Sequence, residues 1–185
     1  MLHQPKQVNK QAIVHKVRAG GGCGANFRGY DLRGCDFSGC DLTEGQFRGA
    51  LLSHCNFHNA VLHKANLSST TCHNTVFDAA VCSKVAFRHA DLLRASFLGT
   101  DLREAKFNGA DIAEALFRGA DLSNAVMRGV RGSGPFHRAT IDGIDLWEDE
   151  FGGPGNILCV LTWEEWQQIL DRRGLLELSA RPTQK

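Results

Sequence analysis

Residues 107–125 read FNGADIAEALFRGADLSNA. Every fifth residue in it is large and apolar: Phe107, Ile112, Phe117 and Leu122. Alanine stands two places before each of the last three. A period of five belongs neither to a helix, which repeats about every 3.6 residues, nor to a strand, which alternates about every two. The stretch therefore indicates a short extended segment followed by a bend, once every five residues.

The same period extends in both directions, from Phe27 to Met127, with no polar residue at the large position. The position two places earlier is nearly always small, and glycine is frequent two places after the large residue, where a turn needs it. A chain that turns repeatedly in one direction stacks its coils as a solenoid. The pattern predicts an inward-facing core ladder of phenylalanines: Phe27, Phe37, Phe47, Phe57, Phe77, Phe87, Phe97, Phe107 and Phe117.

Three segments carry a recognisable motif: Ala90-Asp91-Leu92, Ala110-Asp111-Ile112 and Ala120-Asp121-Leu122. They resemble the A-(D/N)-L-x-x motif of the pentapeptide repeat family, and the resemblance covers residues 25–129. It implies a right-handed quadrilateral β-helix with four pentapeptides in each coil. The expected fold class is an all-β solenoid of this kind, with a C-terminal α-helix.

Three regions are expected along the chain. Residues 1–24 form a basic N-terminal arm or cap, which contains four cationic residues and no acid. Residues 25–151 form the β-helix, with a break in phase near residues 130–134. Residues 152–185 form a C-terminal helix and tail, in which Thr162 and Glu165 make a capping box and Gly174 ends the helix.

The predicted C-terminal helix carries more apolar surface than the end of one narrow solenoid can cover. An uncovered apolar patch of this size favours association, and pairing about a two-fold axis closes the assembly. We therefore expect a homodimer through the C-terminal helix, with an interface made by Trp163, Trp166, Ile169, Leu170, Leu175 and Leu176.

Composition excludes several classes of protein. The formal net charge of the 185 residues is +1, which by itself favours neither a polyanionic partner nor a membrane surface. No apolar run approaches the length of a membrane span, and the first residues lack the apolar core of a signal peptide. Seven cysteines, an odd number, do not suit a secreted disulfide framework. The expected location is the cytoplasm.

The sequence offers no catalytic constellation. Most cysteines fall at inward positions and are interpreted as core residues. His54, His58, His63 and His73 lie close in sequence; His54 and His73 share a wall, while His58 and His63 lie on the next two, so at most one pair converges and no metal site is expected. The acids of residues 101–121 occupy repeat positions where a carboxylate satisfies nearby backbone. With no phosphate loop, triad or cofactor fingerprint, the prediction is a protein without enzymatic activity, cofactor or metal.

One wall of the predicted solenoid is basic. Its outward positions hold no acid, and we call its five cationic residues the basic face: Arg28, Arg48, Arg88, Lys106 and Arg128. Two interpretations stay open, since arginines at coil spacing either solvate the stack or bind an acidic partner.

Two functions follow as hypotheses. The first is a non-enzymatic binding scaffold that presents rigid faces to a protein partner, as solenoids commonly do. The alternative comes from NILCVLTWEEWQQILDRRGLLEL, residues 156–178, which resembles the C-terminal part of pentapeptide proteins that protect DNA gyrase from quinolones or toxins. That resemblance implies a dimer that mimics DNA through an acidic surface, and gyrase as the partner. The basic face has the wrong sign for such a mimic.

Overall fold

The structure is a computed structural model that describes residues 5–132. Of the phase break expected near residues 130–134, only residues 130–132 are described, and the bridge Asp111↔Arg131 keeps Arg131 in the 20-residue register. The expected end of the β-helix up to residue 151, the C-terminal helix and tail and all six residues of the expected dimer interface lie outside the described residues.

The described chain winds into stacked coils of four five-residue repeats. Parallel β-bridges run from Asn26↔Gln46 to Asp111↔Arg131, and each joins residues 20 apart. Within residues 25–132 the β pairing consists of these single-residue bridges, one in every repeat. Phe27 N–H donates to the carbonyl of Gln46 at 2.7 Å, and Gln46 N–H donates back to the carbonyl of Ala25 at 2.9 Å. Gly29 N–H adds a third bond, to the carbonyl of Arg48 at 3.1 Å, so three hydrogen bonds per repeat hold each coil to the next.

Every repeat ends in the same tight turn. Tyr30 N–H donates to the carbonyl of Phe27 at 3.1 Å, which closes a four-residue turn whose third residue, Gly29, has a φ of 69°. Every fifth residue from 24 to 129 shares this positive φ, the signature of a type II turn. Thirteen of these positions hold a residue other than glycine. Since such residues disfavour positive φ, the stacking of coils imposes the turn.

The aspartate or asparagine before the large residue stabilises the turn that follows it. Asp41 Oδ1 accepts the N–H of Thr43 at 2.9 Å, and Asn56 Oδ1 accepts the N–H of His58 at 3.0 Å. This is an Asx-type contact, in which a short polar side chain binds the backbone two residues on. It explains why the motif has Asp or Asn at this position, as expected from the sequence.

The core is a pair of phenylalanine stacks that meet edge to face. All nine residues of the core ladder are buried. Within one stack, Phe77 and Phe97 lie 4.9 Å apart between ring centroids, at an interplanar angle of 4°. Across the interior, Phe97 and Phe107 lie 6.1 Å apart at 82°. Offset stacking within a wall and T-shaped contacts between walls are both favourable aromatic geometries.

The small inward positions add hydrogen bonds to the apolar core. Thr75 Oγ1 donates to the carbonyl of Leu52 at 2.8 Å, and Thr100 Oγ1 donates to that of Phe77 at the same distance. Both threonines are buried. Among residues 5–132, every buried side-chain nitrogen and oxygen has a hydrogen-bond partner, so these polar groups are buried without the cost of an unpaired one.

The N-terminal arm covers the open edge of the first coil. Helix α1, Lys10–Lys16, begins where Asn9 Oδ1 accepts the N–H of Ala12 at 3.0 Å, and it continues into a π-helical turn, Val17–Gly21. Val17 is buried against the core. Lys6 pairs with Tyr30 in a parallel bridge, and its N–H donates to the carbonyl of Gly29 at 2.8 Å. An uncovered strand edge would invite pairing with other chains.

No helix within residues 5–132 is long and apolar enough to cross a lipid bilayer.

Replacing one phenylalanine of the core ladder is expected to destabilise the solenoid or to prevent its folding. Phe97 is fully buried, so Phe97→Ala should lower the free energy of unfolding by about 3–5 kcal/mol. Phe97→Asp should prevent folding, because it buries a charge that has no partner. Chemical denaturation followed by circular dichroism measures both effects. The adjacent Leu98 is 37% exposed, so Leu98→Asp is the control and should fold normally. A soluble Phe97→Asp variant with an unchanged melting curve would contradict the inward placement.

Candidate binding surfaces

The basic face lies along one wall of the solenoid. Because each coil has 20 residues, Arg28, Arg48, Arg88 and Arg128 occupy one column, directly after the large inward residue of their repeats. Lys106 occupies the neighbouring column, directly before Phe107. All five side chains are exposed. The structure thus brings the predicted basic residues to one surface.

Two arginines of this column are held by no other side chain of the part of the chain that the structure describes. Arg28 Nη2 donates to Gln46 Oε1 at 2.9 Å. Within residues 5–132, Arg48 and Arg88 take part in no side-chain hydrogen bond and no ion pair. Their guanidinium groups retain all five N–H donors for another molecule.

Cationic side chains elsewhere on the solenoid are commonly paired with acids, either on a neighbouring coil or within the same coil. Lys64 Nζ lies 3.9 Å from Glu44 Oε1, and Arg94 Nε lies 2.8 Å from Glu114 Oε2. Arg103 pairs with Asp101 at 2.8 Å. These exposed pairs contribute little stability, but they neutralise the local potential. The basic face has no such compensation around Arg48.

Around Lys106, in contrast to Arg48, a carboxylate lies beside the basic face. Lys106 lines a surface depression of about 390 Å³ together with Lys84, Glu104, Asn124 and Val126. Glu104 belongs to the preceding corner and lies 3.4 Å from Lys84. A carboxylate therefore stands beside the basic face at this end, although the outward positions of the wall itself hold none.

The N-terminal arm adds a cation that the sequence pattern does not place. A groove of about 770 Å³ lies at the corner beside the basic face, and we call it the N-terminal groove. Its lining residues include three cations and no carboxylate: Pro5, Lys6, Arg28, Gly29, Arg48, Gly49, Leu51 and Ser69. Lys6 pairs with Tyr30, 24 residues later, whereas the coils repeat every 20. This change of register is why periodicity alone does not bring Lys6 to Arg28.

The inward cysteines are free thiols in an apolar interior. Cys35 and Cys55, which stack on neighbouring coils, are not bonded to each other. Burial raises the pKa of the Cys72 thiol to about 12, and it also raises the pKa of the Cys55 and Cys82 thiols. A thiol of this kind holds little thiolate at neutral pH and is a poor nucleophile. Cys23 in the arm is exposed.

The histidines do not converge. His73 Nε2 lies 2.6 Å from Asp91 Oδ2, while His63 Nδ1 lies 2.7 Å from Ser83 Oγ on another wall. Residues 5–132 contain no group of three or more ligating side chains placed to hold a metal ion.

The acids that resemble a catalytic set are engaged in structure. Asp101 and Asp111 each accept the backbone N–H two residues later, at 3.1 Å and 3.0 Å. Glu114 accepts two hydrogen bonds from Arg94. These contacts agree with the interpretation that the carboxylates satisfy nearby backbone and side chains of the solenoid.

Among the described residues, the best-buried carboxylate lies where the arm meets the first coil. Asp31 is 3% exposed; its Oδ2 lies 2.7 Å from Arg33 Nη2, and its Oδ1 lies 3.4 Å from Lys10 Nζ. The hydrogen bonds from Arg33, reinforced by Lys10, hold the pKa of the Asp31 carboxyl well below its usual range. Lys10 Nζ also donates to the carbonyl of Arg33 at 2.7 Å, so the same cation binds both the acid and the coil edge.

Coils of four five-residue repeats, an aromatic core and outward charged columns define a repeat solenoid of the four-sided β-helix class. The chain belongs to the pentapeptide repeat family: the family model "Pentapeptide repeats" matches in eight copies over residues 24–59, 46–81, 55–93 and 80–119. Known structures of this family are right-handed quadrilateral β-helices, which confirms the family and the solenoid expected from the sequence.

Solved structures of pentapeptide repeat proteins are similar to this chain. HetL, involved in heterocyst differentiation regulation in the cyanobacterium Nostoc, is 19% identical over 66% of this chain and 62% of HetL, with a TM-score of 0.46. Full-length QnrB1, a plasmid-mediated fluoroquinolone resistance protein, is 17% identical over 91% of this chain and 95% of QnrB1, with a TM-score of 0.44. No curated protein sequence matches the chain. At these identities and scores, neither structure assigns a function.

Acid should weaken the junction between the arm and the first coil. The pKa of Asp31 is lower in the folded protein than in the unfolded chain, where it is about 3.9, so its ionised form stabilises fully above about pH 5 and progressively less as the pH falls below 4. Asp31→Asn should lower stability at pH 7 and flatten the loss in acid. Urea midpoints measured between about pH 2 and 7 report both effects.

Asp111→Asn is the matched control, since Asp111 makes an Asx-type contact with Ala113 but no ion pair within residues 5–132. An acid dependence equally flattened in both variants would show that the Asp31 ion pairs are not its source.

Proposed function

We propose that this protein is a non-enzymatic binding scaffold that presents its basic face to a protein partner with an acidic surface. The observation that carries the proposal is the column of Arg28, Arg48 and Arg88, in which two guanidinium groups lack a partner within the described residues. Complementary charge gives such a contact specificity and speeds its formation.

The backbone beneath the column supports this role. Gly29 N–H, next to Arg28, donates to the carbonyl of Arg48 at 3.1 Å, and His89 N–H, next to Arg88, donates to the carbonyl of Asn108 at 2.9 Å. The backbone that carries these arginines is therefore hydrogen-bonded to the neighbouring coil. Neighbouring rows are about 4.8 Å apart. A fixed spacing of charge lowers the entropy lost on binding, because the scaffold is already ordered.

Charge reversal in the column should weaken partner capture. We expect that Arg48→Glu and Arg88→Glu, alone and together, lose proteins retained by the unaltered chain, and that the remaining capture depends less on salt. Quantitative affinity capture from host lysate, at several salt concentrations, measures this.

Arg118→Glu is the control for this experiment. Arg118 is exposed and follows the large inward residue of its repeat, as Arg48 does, but it lies on the opposite wall. Capture that survives all substitutions in the column, or falls equally with Arg118→Glu, would mean that the column only solvates the solenoid.

Gyrase protection is the second candidate function. It rests on the resemblance of residues 156–178 to gyrase-protecting pentapeptide proteins. Charge argues against it: acids and bases are nearly balanced along residues 31–128, and the basic face would repel a surface that binds DNA.

A supercoiling assay distinguishes the two candidates. We expect that adding the protein to DNA gyrase inhibited by a quinolone will not restore supercoiling of relaxed plasmid. Restored activity would replace the first proposal with the second. The same resemblance implies a dimer, for which light scattering on the full-length protein should give the mass of two chains.

A further inference from the structure

The N-terminal groove has the features of a ligand site and overlaps one end of the basic face at Arg28 and Arg48. It crosses four successive rows, which carry Lys6, Arg28 with Gly29, Arg48 with Gly49, and Ser69. Hydrogen bonds fix the register of these rows: Lys6 N–H donates to Gly29 O at 2.8 Å, and Gly49 N–H donates to Ser68 O at 3.1 Å. Its volume of about 770 Å³ lies within the range of small-molecule sites.

The floor of the groove is bare backbone. Gly29 and Gly49 are the third residues of their turns, with φ of 69° and 70°, and a Cβ built on either would meet no atom within 4 Å. The absence of side chains at these two positions leaves the space between the cations open to a ligand.

Among residues 5–132, the three cations around this floor make no ion pair with a carboxylate. Lys6 Nζ lies 5.9 Å from the centroid of the Tyr30 ring, which places the ammonium group beside the first coil. Arg28 spends one N–H on Gln46, and Arg48 spends none within residues 5–132. Arg28 and Arg48 lie on neighbouring rows, whose backbones are about 4.8 Å apart, so an anion bound between them would offset the repulsion of two like charges.

We propose that the N-terminal groove binds a diphosphate group, either free or esterified. Guanidinium forks match the oxygens of phosphate in bidentate fashion, and lysine adds a point charge. A diphosphate carries more oxygens and more negative charge than an orthophosphate, and its greater length lets it contact both arginines and Lys6 together. The hydroxyl of Ser69 supplies a further donor at the end of the groove. The site shares Arg28 and Arg48 with the basic face but needs no protein partner.

Titration calorimetry of the full-length protein with inorganic pyrophosphate tests this assignment. We expect saturable binding at millimolar concentrations or below, tighter than for orthophosphate and weakened by salt. Citrate, an anion of similar charge built on carboxylates, should bind more weakly. Nucleoside diphosphate is the second arm: binding at least as tight as that of pyrophosphate identifies an ester as the source, and weaker binding identifies the free anion.

Single substitutions locate the site. Lys6→Gln, Arg28→Gln and Arg48→Gln should each weaken pyrophosphate binding by about tenfold, the effect of losing one charge-assisted hydrogen bond. Arg118→Gln, at the same repeat position on the opposite wall, should bind as the unaltered chain does. Circular dichroism melting curves verify that every variant is folded.

Three results would overturn the proposal. The first is no binding of pyrophosphate at millimolar concentrations. The second is citrate binding as tight as pyrophosphate, which would leave only general attraction of anions. The third is equal weakening by Arg118→Gln and Arg48→Gln. None of these results depends on whether a protein partner binds the basic face.

Discussion

Hydrogen bonds between successive coils hold the turns of this solenoid in place, and its core and surfaces follow from them. Each repeat has a turn with positive φ, and thirteen of these turns use a residue that disfavours it. Such backbone costs about 1–3 kcal/mol at each position, so the turns do not form because of local preference alone. Bonds such as Phe27 to Gln46, together with the phenylalanine stacks that fill the interior, hold every turn in place.

The same hydrogen bonds determine what the surface can do. Side chains 20 residues apart become neighbours, so charges that are remote in sequence either neutralise one another or accumulate. Glu44 with Lys64 and Arg94 with Glu114 are the first case. Arg28 with Arg48 is the second. The distribution of unpaired charge, rather than net charge, therefore marks the candidate binding surfaces of this nearly neutral chain.

The sequence predicts the repetitive part of the molecule well because one period governs it. Phe97 and its equivalents can be assigned inward, and Arg48 and Arg88 to one column, by counting in fives. Counting in fives does not predict the position of the N-terminal arm. Lys6 pairs with Tyr30 outside the 20-residue register, and the position of the arm depends on how α1 and Val17 pack. The periodicity also does not predict that Lys106 and Glu104 line the same surface depression, because this depression crosses a corner between two walls.

Because every coil contains four repeats of five residues, the effect of an insertion or deletion depends on its length. Inserting or deleting five residues keeps every inward position in phase, so the core survives, but all later columns rotate by a quarter of the circumference. Such an event between residues 49 and 87 would carry Arg88 to a different wall from Arg48. Only changes by whole coils of 20 residues preserve a column, and they lengthen or shorten it. Indels in lineages of this protein should therefore conserve the fold readily and its surfaces only in steps of one coil.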